Sequence, residues 1–346
     1  MDDSPLQSAL RAIALGRALT RTECASAFRV LMAGQAPPAQ SAALLFGLRA
    51  RGETADEVAG AADALRAAMI PVHVDAPGEL VDTCGTGGGA VTTLNLSTAA
   101  AFVVAGAGVR VAKHGNRSYT SRSGSADVLE ALGVDIDLDA PAARRVLAAA
   151  GIAFLFAPAF HPAMRHVAPT RRELAVPTVM NLLGPLVNPA GASRQVVGVA
   201  DANRGMLLAE ALLALGSVHA LVVHADVGMD EVSPVGPTAV WEVAGGAVRR
   251  WDLDPSDLGV TAGSLDGLAG GTPEENAGRI LAVLDGKGSA IERDAILLNA
   301  AAGILVSGKA DSMRGAMAAA RESLRSGAAR ASLQRLRAAS PRNTSG

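Results

Sequence analysis

The stretch LVDTCGTGGG, residues 80–89, contains the pattern that decides the fold. Its first residues, 80–83, are strand-like and lead into a turn whose glycines place few restrictions on the backbone. An apolar segment of helical character, residues 94–104, follows. Strand, glycine-rich turn and helix in this order are typical of α/β proteins that bind anions through backbone N–H groups. A plain strand–turn–helix corner is the alternative interpretation.

The rest of the chain divides into two parts that differ in their hydrophobic pattern. Residues 1 to about 70 show only helical spacing, and Thr20 with Glu23 is placed as a capping box, so we expect a small helical bundle. Residues 161–183 have helical character too and return toward this bundle. Beyond residue 71, strands alternate with helices, which predicts a mostly parallel central sheet. The strand-like runs are residues 109–112, 152–156, 196–200, 219–224 and 239–243.

The predicted fold class is therefore α/β, with a small all-helical domain and a larger α/β domain built on a mostly parallel central sheet. We assign residues 1–72 with 168–190 to the small domain, which would carry dimerisation. Residues 73–167 with 191–346 form the larger domain, which would carry the anion site.

Composition limits the class of protein. Hydrophobic residues make up 49% and charged residues 18%, which excludes a disordered chain and a coiled coil. The net charge of −2 and an aromatic content of 3% disfavour a dedicated nucleic-acid binder. Two cysteines, Cys24 and Cys84, cannot build a disulfide framework, and the N-terminus is acidic where a signal peptide is basic. Apolar runs fall short of the roughly 20 residues of a membrane span. We expect a cytoplasmic protein with neither a membrane nor a nucleic-acid partner.

A second candidate ligand segment, KHGNR at residues 113–117, directly follows a strand-like run. Ligands of α/β proteins bind at such strand ends. Its lysine and arginine offer cationic groups to a phosphate, and Ser121, Ser123 and Ser125 offer hydroxyl groups. The alternative interpretation is a solvated polar loop.

A pair of adjacent acids, Asp230 and Glu231, follows another strand-like run. Magnesium binds one or two carboxylates together with substrate phosphates, so the pair is a candidate metal site. An ordinary acidic loop is the alternative interpretation.

Two arginines and a proline-rich segment complete the candidates. Arg171 offers a bidentate contact to a carboxylate, whereas we interpret Arg172 as a surface partner of an acid such as Glu173. Residues 181–189, rich in Asn, Gly and Pro, predict a rigid turn between domains that can also line a pocket.

Taken together, these motifs resemble the anthranilate phosphoribosyltransferases, in that family's order and over essentially the whole chain. The motifs that carry the resemblance are residues 82–88, 95–98, 113–117, 123–133, 181–189, 230–231 and 299–303. The resemblance implies transfer of the 5-phosphoribosyl group from phosphoribosyl pyrophosphate to anthranilate, releasing pyrophosphate, on the path to tryptophan. It also implies a fold similar to that of nucleoside phosphorylases, Mg²⁺ as cofactor, and a homodimer joined through the helical domains.

The resemblance further implies roles for individual residues. Phosphoribosyl pyrophosphate would be bound by Gly85, Thr86, Gly87, Gly88, Asn95, Ser97, Thr98, Lys113 and Ser125. Anthranilate would be bound by Gly85, His114, Asn116, Arg171, Gly184 and Pro185, and Mg²⁺ by Ser97, Asp230 and Glu231. No catalytic acid or base is assigned, because the aromatic amine is already a nucleophile.

Three positions depart from the family's pattern. Gly89 replaces the usual acid after the glycine-rich turn, Pro177 stands where Arg is common, and Met180 where Phe is common. A related transferase with another aromatic amine, a nucleic-acid-binding relative of the fold and a nucleoside phosphorylase are the alternatives left open.

The dimer expectation rests on apolar residues of the helical bundle. A bundle of roughly 70 residues has little interior, so some of its leucines are expected to lie on an interface. The leucines in question are Leu6, Leu10, Leu44, Leu45 and Leu48.

Overall fold

The computed structural model describes residues 4–118, 122–260 and 263–340, so Ser121 lies outside the described residues. Within these ranges the α-helices are α1 Pro5–Ala14, α2 Arg21–Met32, α3 Pro38–Arg51, α4 Ala55–Ala68, α5 Leu96–Gly106, α6 Ser125–Ala131, α7 Ala140–Ala150, α8 Ala157–Phe160, α9 Ala168–Leu174, α10 Gly205–Ala214, α11 Pro273–Leu284, α12 Ala290–Ser307, α13 Met313–Arg325 and α14 Ala328–Ala339. Short 3-10 helices lie at Pro77–Glu79, Pro162–His166, Val179–Asn181, Gly184–Leu186, Ala202–Arg204, Pro255–Leu258 and Leu265–Leu268. In the part of the chain described, no helix is both long and apolar enough to cross a bilayer.

The strands form one sheet in the order β3-β2-β1-β4-β5-β6-β7. The first five strands in this order pair in parallel, and β6 and β7 add antiparallel edges, so the predicted mostly parallel sheet is confirmed. Their bounds are β1 Val81–Asp82, β2 Val111–Gly115, β3 Ile152–Phe156, β4 Arg194–Gly198, β5 His219–Ala225, β6 Thr238–Ala244 and β7 Ala247–Leu253.

The sequence patterns above do not predict β7. It follows β6 through a Gly245-Gly246 turn in which both glycines have positive φ, at 58° and 79°, as a tight hairpin requires. The strand is largely exposed and carries Arg249, Arg250 and Asp252, so the apolar alternation of a half-buried strand is missing. Charges on an edge strand oppose pairing with other chains.

Helices α1 to α4 form the predicted bundle, and the two-part fold class is confirmed. Capping boxes begin three of these helices, at Ser4, Thr20 and Thr54, and the one at Thr20 is the box that the sequence predicts. Each box satisfies N–H groups that a helix leaves open at its start. The bundle shares one hydrophobic cluster with α10 and with one face of the sheet, while α5, α7 and α11–α14 cover the other face.

The proposed dimer leucines belong to this interior. Leu6 is 1% exposed, and Leu44, Leu45 and Leu48 are fully buried. Leu10 is partly buried and packs against the same cluster. The expectation that Leu6, Leu44, Leu45 and Leu48 form a subunit interface is therefore wrong, because the sheet face and α10 supply the cover that a free-standing bundle would lack.

Arginine side chains close the C-terminal ends of several helices from distant parts of the chain. Arg21 donates to the carbonyl oxygen of Ala214 at the end of α10, at 2.5 Å. Arg194 donates to the carbonyl oxygen of Val306 near the end of α12, at 2.7 Å. These contacts satisfy carbonyl groups that a helix cannot bond itself and place positive charge at the negative end of its dipole. Arg335 to Ala150 and Arg337 to Leu132 repeat the arrangement.

Gly60 tests how tightly the bundle is packed. A Cβ on this α4 residue would lie 2.4 Å from the carbonyl oxygen of Arg21 and 3.0 Å from the backbone N of Ala25. Backbone atoms cannot rotate away, so Gly60→Ala should lower the free energy of unfolding by about 1–3 kcal/mol despite the better helix propensity of alanine. Gly278→Ala in α11, where the Cβ enters open space, is the matched control and should be neutral or stabilising. Thermal unfolding of both variants decides, and equal melting temperatures would contradict the packing argument.

Candidate active site

A cavity of about 510 Å³ opens where the carboxyl ends of β1, β2, β4 and β5 meet. In open parallel sheets this edge is where ligands bind. Every residue that the resemblance implies as a ligand contact lines this one cavity. These residues are Gly85, Thr86, Gly87, Gly88, Asn95, Ser97, Thr98, Lys113, His114, Asn116, Ser125, Arg171, Gly184, Pro185, Asp230 and Glu231.

The glycine-rich loop after β1 lies against the end of β4. The N–H of Thr86 donates to the carbonyl oxygen of Gly198 at 2.8 Å, and a Cβ on Gly85 would meet the same oxygen at 3.0 Å. Gly87 and Gly88 have φ of 69° and 84°, a region that favours glycine. The loop backbone is therefore held at the cavity wall without side chains between it and a ligand.

Helix α5 begins on the same wall. The hydroxyl of Thr98 is buried and has no hydrogen-bond partner among the described residues. Buried hydroxyl groups are normally bonded, so this one fits a group that a ligand or an ordered water satisfies. Together with the N-terminus of α5, the wall is suited to an anion.

The acid pair faces the glycine-rich loop. Asp230 and Glu231 are partly exposed to the cavity, yet the protein surrounds them closely enough that desolvation raises the pKa of both. For Glu231 the pKa rises to about 8, with the neighbouring carboxylate of Asp230 as the second cause. The hydroxyl of Thr93 donates to Glu231 at 2.7 Å and opposes the shift.

A bound cation would favour the ionised form of both Asp230 and Glu231. Oxygen ligands are those that Mg²⁺ prefers, and the hydroxyl of Ser97 lines the same cavity. The donor set of Ser97, Asp230 and Glu231 therefore fits a magnesium ion.

Lys113 differs from the sequence-based expectation. Its side chain is 3% exposed, and its ammonium donates to Thr83 O at 2.5 Å, Thr83 Oγ1 at 3.3 Å and Ser97 Oγ at 3.2 Å. Three donors are all that an ammonium has. Lys113 thus holds the start of the glycine-rich loop to α5, and it lines the cavity wall with its hydrogen bonds already made to Thr83 and Ser97.

Arg117 is committed elsewhere as well. Its guanidinium pairs with Asp127 at 2.8 Å and with Glu130, both on α6, and lies 5.6 Å from the centre of the Phe156 ring. The sequence predicts that Arg117 offers its charge to a phosphate. In the structure Arg117 lies at the cavity edge, but its guanidinium is paired with carboxylates of the protein. Asp127 and Glu130 on α6 neutralise its charge.

The acceptor end lies between the sheet and the helical part. The Nδ1 atom of His114 is 3.0 Å from the carbonyl oxygen of Gly184, which fixes Nδ1 as the protonated nitrogen of a neutral ring. Burial lowers the pKa of His114 to about 3, so the ring stays neutral. Gln195 donates to the carbonyl oxygen of Pro185 at 2.5 Å, and Arg171 on α9 completes the wall.

Two of the three departures from the family's pattern touch the site. A Cβ on Gly89 would lie 2.7 Å from Oδ1 of Asp230, so glycine lets the loop rest directly on that carboxylate. Met180 lines the cavity and is 4% exposed. Pro177 is exposed and does not belong to the lining.

Asp82, Cys84 and His114 form a group that the sequence reasoning does not single out. Their potential metal-ligand atoms lie within 4.8 Å of one another. Both oxygens of the buried Asp82 are already engaged, one with the N–H of His114 at 3.1 Å and one with Nδ2 of Asn188 at 2.8 Å. Asp82 therefore serves the fold and has no oxygen left for a metal ion.

Asn299 on α12 is another residue to which the sequence patterns assign no role. Its Oδ1 accepts the N–H of Val232 at 3.0 Å, and its Nδ2 donates to the carbonyl oxygen of Val232 at 2.9 Å. This double contact fixes the backbone immediately after the acid pair. The segment 299–303 within the resemblance is the signal that points to it.

Family models agree with the two-part architecture. The model described as "Glycosyl transferase family, helical bundle domain" matches residues 7–69. The model described as "Glycosyl transferase family, a/b domain" matches residues 77–330.

Curated relatives and solved structures identify the family more closely. Anthranilate phosphoribosyltransferases from Rubrobacter xylanophilus and Roseiflexus castenholzii are 52% and 50% identical, over 95% and 96% of this chain and 96% and 97% of their own lengths. The Thermus thermophilus enzyme superposes with a TM-score of 0.89 at 44% identity, covering 96% of this chain and 98% of that one. The Saccharomyces cerevisiae enzyme in complex with PRPP and Mg gives 0.89 at 30% identity, covering 98% of both chains. The chain therefore belongs to the anthranilate phosphoribosyltransferase family.

Proposed function

We propose that one cavity holds phosphoribosyl pyrophosphate, Mg²⁺ and anthranilate together while the chain carries out its family's reaction. That reaction transfers the phosphoribosyl group to anthranilate in tryptophan biosynthesis. The observation that carries the proposal is the convergence of the glycine-rich loop, the acid pair and the acceptor end on a single cavity. Solved Saccharomyces cerevisiae relatives in complex with PRPP and Mg and with 4-fluoroanthranilate support this content.

In the proposed mechanism the amine nitrogen of anthranilate attacks the anomeric carbon of the ribose. A carbon–nitrogen bond forms, the bond from that carbon to the pyrophosphate oxygen breaks with its electron pair on the oxygen, and the nitrogen releases a proton to solvent. The backbone of the glycine-rich loop and the N-terminus of α5 bind the departing pyrophosphate, and Lys113 adds positive charge from the cavity wall. Ser97, Asp230 and Glu231 would hold Mg²⁺, which would supply further stabilisation of that charge.

At the acceptor end, the proposed role of Arg171 is to hold the carboxylate of anthranilate. A bidentate contact fixes the plane of the ring and brings the amine toward the ribose, which makes the attack nearly intramolecular. We also propose that residues 1–72 with 168–190 form the acceptor-side domain. A cytoplasmic location remains the expectation from composition.

The reaction is tested by the loss of anthranilate fluorescence with phosphoribosyl pyrophosphate and Mg²⁺. In this assay Asp230→Asn should lower kcat strongly at limiting Mg²⁺ and recover partly at high Mg²⁺, because one of two charged ligands is lost. Asp226→Asn removes an exposed acid of the same loop that does not line the cavity, and should leave the magnesium profile unchanged. Near-normal turnover of Asp230→Asn at limiting Mg²⁺ would remove the acid pair from the metal site.

Arg171→Ala should raise KM for anthranilate about 10- to 100-fold, since a charged hydrogen bond contributes about 1.5–3 kcal/mol. The KM for phosphoribosyl pyrophosphate should change little. The neighbouring Arg172 is exposed and does not line the cavity, so Arg172→Ala is the control. Equal increases in both KM values for Arg171→Ala would indicate a role in folding and not in acceptor binding.

Gly89 should limit the affinity for a second magnesium ion, because the site has one negative charge fewer than the family's pattern. We expect activity over a broad magnesium range with little inhibition at the high end, and Gly89→Asp should narrow that range. The φ of Gly89 is not positive, so the backbone accepts a side chain, but the Cβ would displace the carboxylate of Asp230. Gly89→Ala adds the same Cβ without charge and separates the two effects. Identical magnesium profiles for both variants would show that charge at position 89 does not control the second ion.

We propose that the protein forms a homodimer through exposed apolar residues of the helical bundle, and not through its buried leucines. The candidates are Leu15, which is 86% exposed, and Phe46, which is 53% exposed, because burying them in an interface would remove apolar surface from water. Light scattering at micromolar concentration should give twice the chain mass of 34.8 kDa, and Phe46→Glu should shift the protein toward monomer. A monomeric unmodified protein would exclude the dimer.

A further inference from the structure

The side-chain oxygen of Asn95 is turned away from the helix that Asn95 begins. Asn95 is the N-cap of α5, where an asparagine usually accepts a backbone N–H of its own helix, but no such bond is present. Its Oδ1 instead accepts from Nδ2 of Asn276 at 3.0 Å and from the hydroxyl of Ser123 at 3.1 Å. Asn276 lies on α11, is 1% exposed and comes 181 residues later in the chain.

Backbone groups at both ends of this network fix the orientation of both amides. The N–H of Gly271 lies 2.8 Å from Oδ1 of Asn276 and can only donate, so the other amide atom of Asn276 must be the nitrogen. The carbonyl oxygen of Ser123 lies 3.0 Å from Nδ2 of Asn95 and can only accept. Neither amide can therefore flip without losing a hydrogen bond to the backbone.

This orientation decides what Asn95 offers to the cavity that it lines. The amide nitrogen has two N–H groups; one bonds the carbonyl of Ser123, and the other has no acceptor among the described residues. Ionised phosphate oxygens only accept hydrogen bonds, so a phosphate is recognised by the N–H of Asn95 and repelled by its oxygen.

We propose that Asn276 is a positioning residue for phosphoribosyl pyrophosphate, because its amide holds the oxygen of Asn95 so that the N–H faces the substrate. The inference rests on the proposed contact between Asn95 and that substrate. It adds a residue on α11, outside the cavity lining, to the machinery of the donor site.

The segment that precedes α11 also holds the residues just before Asn95, through backbone hydrogen bonds. The N–H of Leu94 donates to the carbonyl oxygen of Leu268 at 2.9 Å, and the N–H of Gly270 donates to that of Thr92 at 3.1 Å. These bonds hold the chain before Asn95 in place without Asn276. Replacing the amide of Asn276 should therefore alter the orientation of Asn95 while the loop keeps its position.

Asn276→Asp is the sharpest variant, because it keeps the size of the side chain and replaces its donor with an acceptor. The new oxygen repels Oδ1 of Asn95, so the amide of Asn95 turns and presents its oxygen to the substrate. We expect KM for phosphoribosyl pyrophosphate to rise about tenfold or more, the effect of losing one charge-assisted hydrogen bond. The KM for anthranilate should stay within about twofold. Asn203→Asp, on the exposed 3-10 helix Ala202–Arg204, is the control and should change neither value.

A double-mutant cycle separates positioning from a general structural effect. In an Asn95→Ala background the Asn276→Asp change should have no further effect on KM for phosphoribosyl pyrophosphate, since the group it orients is gone. If Asn276→Asp does not fold, Asn276→Ala replaces it: it removes the donor, so KM for phosphoribosyl pyrophosphate should rise, and this rise should also vanish in the Asn95→Ala background.

Two results would overturn the inference. An effect of Asn276→Asp that persists in the Asn95→Ala background, or that raises both KM values equally, would show that Asn276 does not act through Asn95. An unchanged KM for phosphoribosyl pyrophosphate in Asn95→Ala alone would instead remove Asn95 from the substrate site. The two failures are therefore distinguishable.

Discussion

The buried carboxylate of Asp82 is the constraint on which the geometry of the site depends. It is fully inaccessible to solvent, and burial raises its pKa to about 6 even though Lys113 favours the charged form. Its two oxygens bind the N–H of His114 on β2 and the amide of Asn188, which also donates to Ala112 O at 2.8 Å. One side chain thus joins two strands to the segment that returns from the helical part, and it fixes where the glycine-rich loop begins.

Different groups of the cavity attract a cation and an anion. Burial raises the pKa of Asp230 and Glu231, the acids that follow β5, because the protein around them does not stabilise their ionised forms. The ammonium of Lys113 donates its hydrogen bonds to Thr83 and Ser97. Positive potential for an anion therefore comes mainly from backbone N–H groups and a helix N-terminus, which cannot change protonation state. Because Gly89 has no Cβ, the glycine-rich loop can lie close to the carboxylate of Asp230.

The sequence predicts those parts of the site whose determinants are local. A strand followed by glycines marks a strand end without knowledge of its neighbours, and the cavity forms where such ends meet. The sequence places Lys113 and His114 just after a strand, whereas they are the third and fourth residues of β2, because the parallel pairing with β3 extends to Gly115. Contacts between distant residues are not predictable in this way. The residue type of Arg117 indicates a charge but not that Asp127 and Glu130 neutralise it, and the pairing of Asn95 with Asn276 depends on how α11 packs. The sequence does not predict the edge strand β7, because its exposed charges interrupt the apolar alternation typical of a strand.

The arginines at helix C-termini have a consequence for how the chain can be divided. Arg21 reaches Ala214, Arg194 reaches Val306 and Arg335 reaches Ala150, so each helix end is completed by a residue more than a hundred positions away. A fragment that contains the helix but not its arginine has carbonyl groups exposed to solvent and an uncompensated dipole. Arg21 is the contact of these three that starts in the helical bundle, and the bundle also shares a hydrophobic cluster with α10 and one face of the sheet. Excised by proteolysis, the bundle would lose this apolar cover, so it is not expected to survive as an autonomous module.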